Sequence, residues 1–156
     1  MGQIKIKEIS FQELYSIQDM ICSLHNEIRL IEHRLPPAED MIREHFHYLK
    51  TKCEKYRGKI KIIEMDNKIV GYVIYYLEEI SEQPDEGMKP FCYIQEIYIE
   101  AKFRKNGLGT RLINEVKREA NGLPLRLFVF WKNRKALRLY KRSGFKERIV
   151  ELELQS

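Results

Sequence analysis

Cysteine is scarce here and odd in number: Cys22, Cys53 and Cys92 in 156 residues, with no C-x-x-C pair. That excludes a disulfide framework. Each thiol lies in an apolar-patterned segment, which points to reduced, buried cysteines in a reducing compartment. No apolar run is long enough to span a membrane, and the first residues lack the apolar core of a signal peptide. The expectation is a cytoplasmic protein with no membrane partner. Internal repeats and low-complexity tracts are missing, which excludes solenoids and arrays. The four histidines, His25, His33, His45 and His47, show no zinc-site spacing. They are expected to be packed or solvated, with no metal bound. Cys92 has no histidine near it in sequence to make it a nucleophile.

What is present suits one domain over residues 1–156, with a core large enough to fold alone. The 28 Lys and Arg outnumber the 23 Asp and Glu, giving a net charge of +5 and a pI of about 9.0. That balance favours an anionic ligand. The basic residues are interspersed with Glu and no RNA-binding signature occurs, so a nucleic-acid-binding domain is only an alternative reading.

Along the chain, Gln3–Ile9 alternates Ile4 and Ile6 with lysines and predicts a half-exposed strand. Ser10 with Glu13 is a capping-box signature. Leu14, Ile17, Ile21, Leu24, Ile28 and Ile31 then form a helical stripe that ends before Pro36-Pro37. A second helix, with Glu39 and Asp40 in its first turn, carries Ile42, His45, Leu49, Cys53 and Tyr56 and is expected to stop at Gly58. Ile60–Met65 and Lys68–Leu77 read as strands joined by a hairpin turn at Asp66-Asn67. Gly71 inside the second marks a bulge or a close backbone approach. Ser81–Pro90 reads as a loop.

Phe91–Ala120 organises the chain. FCYIQEIYIE predicts a buried strand, and Leu108, Leu112, Val116 and Ala120 recur at helical spacing. Between them stands Arg104-x-x-Gly107-x-Gly109. A glycine-bearing turn that leads from a strand into a helix exposes free N–H groups at the positive end of the helix dipole, which suits a phosphate. The spacing is neither that of a dinucleotide fingerprint nor that of a P-loop. After the Gly122–Pro124 break, Leu125–Trp131 predicts a buried strand. Asn133 is an N-cap for a helix carrying Ala136, Leu137 and Tyr140, Gly144 suits its C′ position, and Phe145–Leu154 reads as a last strand. The order β-α-α-β-β-β-α-β-α-β predicts an α/β sheet that is antiparallel in its first half and parallel where helices intervene.

At this point the sequence resembles the GNAT N-acetyltransferase superfamily. FRKNGLGTRL is similar to its motif A, and NRKALRLYKRSGFKE to its motif B. YIQEIYI and IVGYVIYY match its fourth and third strands, so the resemblance covers Lys59 to about Lys146. It implies a single-domain fold with a mixed central sheet of about six or seven strands and four helices, the fourth and fifth strands splayed. It further implies that acetyl-CoA enters that cleft as acetyl donor, its arm pairing with Ile97, Tyr98 and Ile99. The pyrophosphate would sit on the amides of Lys105, Asn106, Gly107, Leu108, Gly109 and Thr110, with Arg104 adding charge and Asn133 touching the arm. Lys132, Arg134, Lys135 and Arg138 are candidates for the 3′-phosphate.

The implied reaction moves acetyl directly from the thioester to an amine. Tyr140 would protonate the leaving thiolate, and an amide near Ile99 would polarise the carbonyl. Glu96, a lone carboxylate on an apolar strand, is the candidate base, or else binds a cationic acceptor. Alternation along the strand predicts that it shares a face with Ile94 and Tyr98. Glu27 and Glu32 are placed near the acceptor's approach. The acceptor class stays open among small amines, polyamines, lysines and protein N-termini. So does a homodimer, and so does a non-catalytic acyl-CoA sensor of the same fold.

Overall fold

The alternation of Ile4 and Ile6 forms edge strand β1 (Ile4–Ile9) in the computed structural model, which describes residues 2–81 and 83–155. The Ser10 N–H donates to Glu13 Oε2 at 2.7 Å, as a capping box requires. The turns that follow are 3-10 in character (Phe11–Ile17) before α1 (Gln18–Arg29) begins. Helix α2 (Ala38–Tyr56) carries Glu39 and Asp40 in its first turn, where the helix dipole favours them. Its stop comes one residue before Gly58. Arg57 holds the left-handed cap at φ 54°, and Gly58 opens β2 (Gly58–Met65). Glycine is required there by proximity: a Cβ would lie 2.4 Å from Cys53 Sγ and 2.6 Å from its Cα.

Asp66 and Asn67, at φ 52° and 66°, make the expected hairpin turn into β3 (Lys68–Ile80). Both readings of Gly71 hold. The register slips beside it, pairing Ile63 with Gly71 but Glu64 with Ile69, and a Cβ would stand 2.5 Å from the Tyr98 carbonyl oxygen. Strand β4 (Pro90–Ile99), helix α3 (Leu108–Ala120), strand β5 (Leu125–Leu127) and helix α4 (Arg134–Arg142) complete the order. The sheet runs β1-β2-β3-β4-β5, antiparallel except for the parallel β4–β5 pair.

Among the described residues the sheet therefore has five strands, not six or seven. The expected strand over Leu125–Trp131 shortens to three half-buried residues, and Phe128 and Trp131 are exposed. Phe145–Leu154 forms no strand, and Val150, Leu152 and Leu154 are 74%, 88% and 97% exposed. Alternation is necessary for a half-buried strand but not sufficient. β5 ends at Leu127 and offers no longer edge to pair with.

Two apolar clusters cover the two faces of the sheet. Leu108, Leu112, Val116 and Ala120 of α3 pack with Val73, Tyr75, Cys92 and Ile94 on one face. Leu14, Ile17, Ile21, Phe46 and Leu49 pack with Ile60, Tyr72 and Ile74 on the other. The α3 face also holds a charge cluster. Lys61 Nζ lies 3.0 Å from both Glu115 and Glu119, and the Tyr75 hydroxyl donates to Glu119. Hydrogen bonds from Arg118 and Lys61 hold Glu115 below the usual carboxylate range. At Glu119 burial acts the other way, but the Tyr75 and Lys61 bonds outweigh it and lower it too.

Lys61→Met is expected to cost about 3 kcal/mol at pH 7, the low end of the range for breaking a buried pair, because Glu115 keeps Arg118. Lowered carboxyl values stabilise the fold above the ordinary 4.5, and that stability is lost as pH falls through the folded values. The deficit of the variant should therefore shrink below about pH 4. Urea unfolding of both proteins at pH 7 and pH 3.5 checks this, and a deficit that does not depend on pH would place the effect in packing.

Candidate active site

The site is built around a break in β4. Ile74 pairs with Glu96 but Tyr75 pairs with Ile94, so Gln95 is left over as a bulge. The bulge resets the alternation. Ile94 joins Ile97 and Ile99 against the α3 face, while Glu96 and Tyr98 face α1 and α2. The simple alternation that put Glu96 beside Ile94 is corrected by this one extra residue. Gln95 is used as well, its Oε1 accepting from the Tyr76 hydroxyl at 3.2 Å.

The same strand leaves an open edge. The Glu100 N–H donates to the Val70 carbonyl at 2.9 Å, which sets the backbone of Tyr98 and Glu96 toward β3 and that of Ile97 and Ile99 away from it. β5 pairs only with Cys92–Ile94 and then ends. The fourth and fifth strands thus part where the Ile97 and Ile99 groups face outward. The Ile99 carbonyl is already in use, accepting from Arg104 Nε at 2.7 Å.

Beyond β4, a 3-10 turn (Ala101–Phe103) leads through Lys105 at φ 66° and Gly107 at φ 75° into α3. The first intrahelical bond runs from the Arg111 N–H to the Gly107 carbonyl, and no side chain caps the N-terminus. The amides of Leu108, Gly109 and Thr110 therefore have no helical acceptor. No acid occupies the first turn, and a Cβ on Gly107 would meet nothing within 4 Å. Lys105 and Asn106 are exposed, Asn106 Nδ2 donating to the Phe103 carbonyl at 3.1 Å, while the Leu108 side chain is buried in the core. The result is an open, uncapped helix start fit to receive an anion.

Arg104 is committed elsewhere. Its guanidinium donates to both Glu27 oxygens at 2.8 and 2.9 Å and lies over the Tyr98 ring at 5.3 Å, tying α1 to the turn. Glu32 is likewise bonded to Arg34, which also bonds Glu153. Neither Glu27 nor Glu32 stands as a free carboxylate for an acceptor.

Helix α4 leans on this turn. Leu139 Cδ2 lies 3.1 Å from where a Gly109 Cβ would be, so glycine lets the two helices approach. Asn133 caps α4, its Oδ1 accepting from the Ala136 N–H at 3.3 Å. Tyr140 follows Leu139 and meets Phe145 edge to face at 5.9 Å. Burial pushes its phenol up to about 12, and its hydroxyl has no hydrogen-bond partner among the described residues. It is an uncommitted proton on a half-buried ring.

On the other face, Glu96 is nearly sealed, with 8% of its side chain exposed. Its Oε1 accepts from the Tyr72 hydroxyl at 2.8 Å, and its Oε2 is bonded to His45 Nε2 from α2. Burial first, and then the Glu96 charge, push the Tyr72 phenol well above its ordinary value, so it stays a donor to Glu96. His45 was expected to be packed or solvated and given no chemical role. The signal was present: it lies on the inward stripe of α2 with Ile42 and Leu49, and a lone carboxylate on an apolar strand needs a partner. Cys92 is buried, and desolvation raises its thiol to about 12, which leaves it inert. Among the described residues no group of three or more His, Cys, Asp or Glu is placed to hold a metal ion, and no helix is long and apolar enough to cross a membrane.

The sequence matches the acetyltransferase (GNAT) family over residues 19–145. It is 30% identical over 106 residues to an N-acetyltransferase of Methanocaldococcus jannaschii, an alignment covering 66% of this chain and 46% of the relative. The chain thus spans about half the length of the curated relative it matches. Two solved structures show the same fold. A protein of Bacillus halodurans superposes with a TM-score of 0.74 at 18% identity, covering 97% of this chain and 99% of that one. A predicted acetyltransferase of Clostridium acetobutylicum, solved with acetyl-CoA, gives 0.70 at 20% identity over 98% and 96%.

Proposed function

Since the chain belongs to the GNAT acetyltransferase family, we propose that it transfers an acetyl group from acetyl-CoA to the nitrogen of an amine. One observation carries this reading. The uncapped start of α3, with its open space at Gly107, adjoins the unpaired edge of Ile97 and Ile99. A ligand with a phosphate at one end and an amide-bearing arm at the other fits both features. The amides of Lys105–Thr110 hold the pyrophosphate, and the arm adds to β4 as a further strand. The acetyl-CoA bound to the Clostridium acetobutylicum structure supports the same donor.

The chain supplies the remaining groups. Tyr140 on α4 protonates the departing thiolate, and the Ile99 amide polarises the carbonyl. Asn133 lies at the start of the helix that carries Tyr140, and in this reading it touches the arm. Glu96 stands on the opposite face of β4 and provides the charge at the base end, where the acceptor must lose a proton. In this reading donor chemistry belongs to the α3–α4 side of the sheet and acceptor chemistry to the α1–α2 side, with the parted strands between them.

Acetyl-CoA binds only the folded chain in this reading. At about 100 times its Kd it should raise the Tm by about 5–10 °C. A panel of amines read by released thiol then identifies the acceptor class. No shift at millimolar acetyl-CoA would overturn the assignment.

A further inference from the structure

We propose that the acceptor's proton is taken by His45, and that Glu96 and Tyr72 act by positioning it. This inference rests on the acetyl-transfer reading and deepens its base end. Three observations carry it. Both Glu96 oxygens are already bonded, one to Tyr72 and one to His45. Glu96 is also the more enclosed of the pair, at 8% side-chain exposure against 17% for His45. Finally, His45 bonds Glu96 through Nε2, and its Nδ1 has no partner among the described residues. The chain Tyr72–Glu96–His45 thus ends outward at a ring nitrogen, and not at a carboxylate.

The chemistry follows from the hydrogen-bond inventory. A carboxylate can only accept, and its two acceptors face a phenol proton and a ring proton. A neutral His45 that donates Nε2–H to Glu96 must carry its lone pair at Nδ1. That lone pair takes a proton from the acceptor's ammonium, leaving a neutral amine and an imidazolium whose new charge lies against the Glu96 carboxylate. The imidazolium returns its proton to water. As the amine attacks the thioester, the C–N bond forms and the C–S bond breaks. Tyr140 gives its proton to the thiolate and recovers one from solvent, into which the newly acylated nitrogen sheds its second proton.

The surroundings suit this role. From β4 the charged group facing His45 is Glu96, and from β3 the neutral phenol of Tyr72 bonds the same carboxylate, with Tyr76 next to it. From α2 the Tyr48 ring stacks on the imidazole at 6.4 Å and 14°, and from α1 Cys22 faces Tyr72. Glu96 is thus the acid bonded to the imidazole, so the imidazolium has one defined counter-charge. Tyr48 is 46% exposed and marks the side on which water reaches the cluster.

The test has two arms. In the first, nitrogen-15 NMR of the imidazole resonances reads the tautomer directly. The full chain should show His45 as the neutral Nε2–H form near pH 8, and Glu96→Gln should disturb that preference. An Nδ1–H tautomer, or a ring doubly protonated at every pH from 5 to 9, would overturn the proposal. In the second arm the chain turns over acetyl-CoA with n-butylamine as a minimal acceptor. His45→Gln should lower kcat by about 100-fold or more at pH 7, remove the acidic limb of the pH–rate profile and leave the acetyl-CoA thermal shift intact.

Added imidazole should restore part of the rate to His45→Ala. A merely structural His45 would show no such rescue. Unchanged turnover in His45→Gln, with the limb lost only in Glu96→Gln, would return the base to Glu96. Failure of the acetyl-CoA shift in the unsubstituted chain is a separate outcome that overturns the family-based function. If butylamine is not accepted, the NMR arm decides.

Discussion

Gly107→Glu is expected to abolish the thermal shift that acetyl-CoA produces, a loss of at least about 100-fold in affinity. The residue stands at the N-cap of α3 with φ 75° and open space where a Cβ would go. A carboxylate there would occupy the anion site and oppose the phosphate at the point where the helix dipole attracts it. The left-handed backbone adds a cost of about 1–2 kcal/mol for any side chain. Gly107→Ala separates the two effects. It bears the backbone cost without the charge, so its unliganded Tm should drop while its acetyl-CoA shift survives in part. A full shift in Gly107→Glu would mean that the phosphate lies elsewhere. Gly109 is a poorer choice for this test, because its Cβ would press on Leu139 and confuse binding with helix packing.

Tyr140→Phe is expected to lower kcat by about 100- to 1000-fold with little change in acetyl-CoA affinity. The ring and its contact with Phe145 remain, and only the proton is lost. Removing a hydroxyl that bonds to none of the described residues should leave the Tm unchanged or slightly raised. The pH dependence is equally specific. Burial holds the phenol at about 12, so it remains a donor throughout an ordinary assay and is lost only as pH rises through that value. Between the limb of the base and about pH 11 the rate should therefore stay flat. Unchanged turnover in Tyr140→Phe would make Tyr140 a packing residue and leave water to protonate the thiolate.

Local signals along the chain carried much of this protein. The turn at Asp66-Asn67, the cap at Asn133, the four apolar positions of α3 and the glycine-bearing turn before it all depend on residues close in sequence. Such neighbours determine φ, capping and periodicity. The two motifs around Gly107 and Tyr140 were legible for the same reason. Other features depend on what a segment meets in space. The alternation in Val150, Leu152 and Leu154 is that of a strand, yet β5 offers those residues no longer edge, and they are exposed. Arg104 carries charge beside the anion site, yet it is folded onto Glu27 from a helix 77 positions earlier.

The acceptor side shows the division most clearly. That a carboxylate stood alone on an apolar strand was visible in FCYIQEIYI, and that His45 lay on the inner stripe of α2 was visible in its spacing. Which face Glu96 took was decided by the bulge at Gln95, because one extra residue turns every later side chain to the other side of the sheet. That His45 and Tyr72 then met the two Glu96 oxygens was decided by the packing of α2 on β3 and β4. Periodicity assigns a residue to a face of its own element. Only the three-dimensional fold decides which faces meet, because the low-dielectric interior leaves a buried charge stable only beside groups that satisfy it.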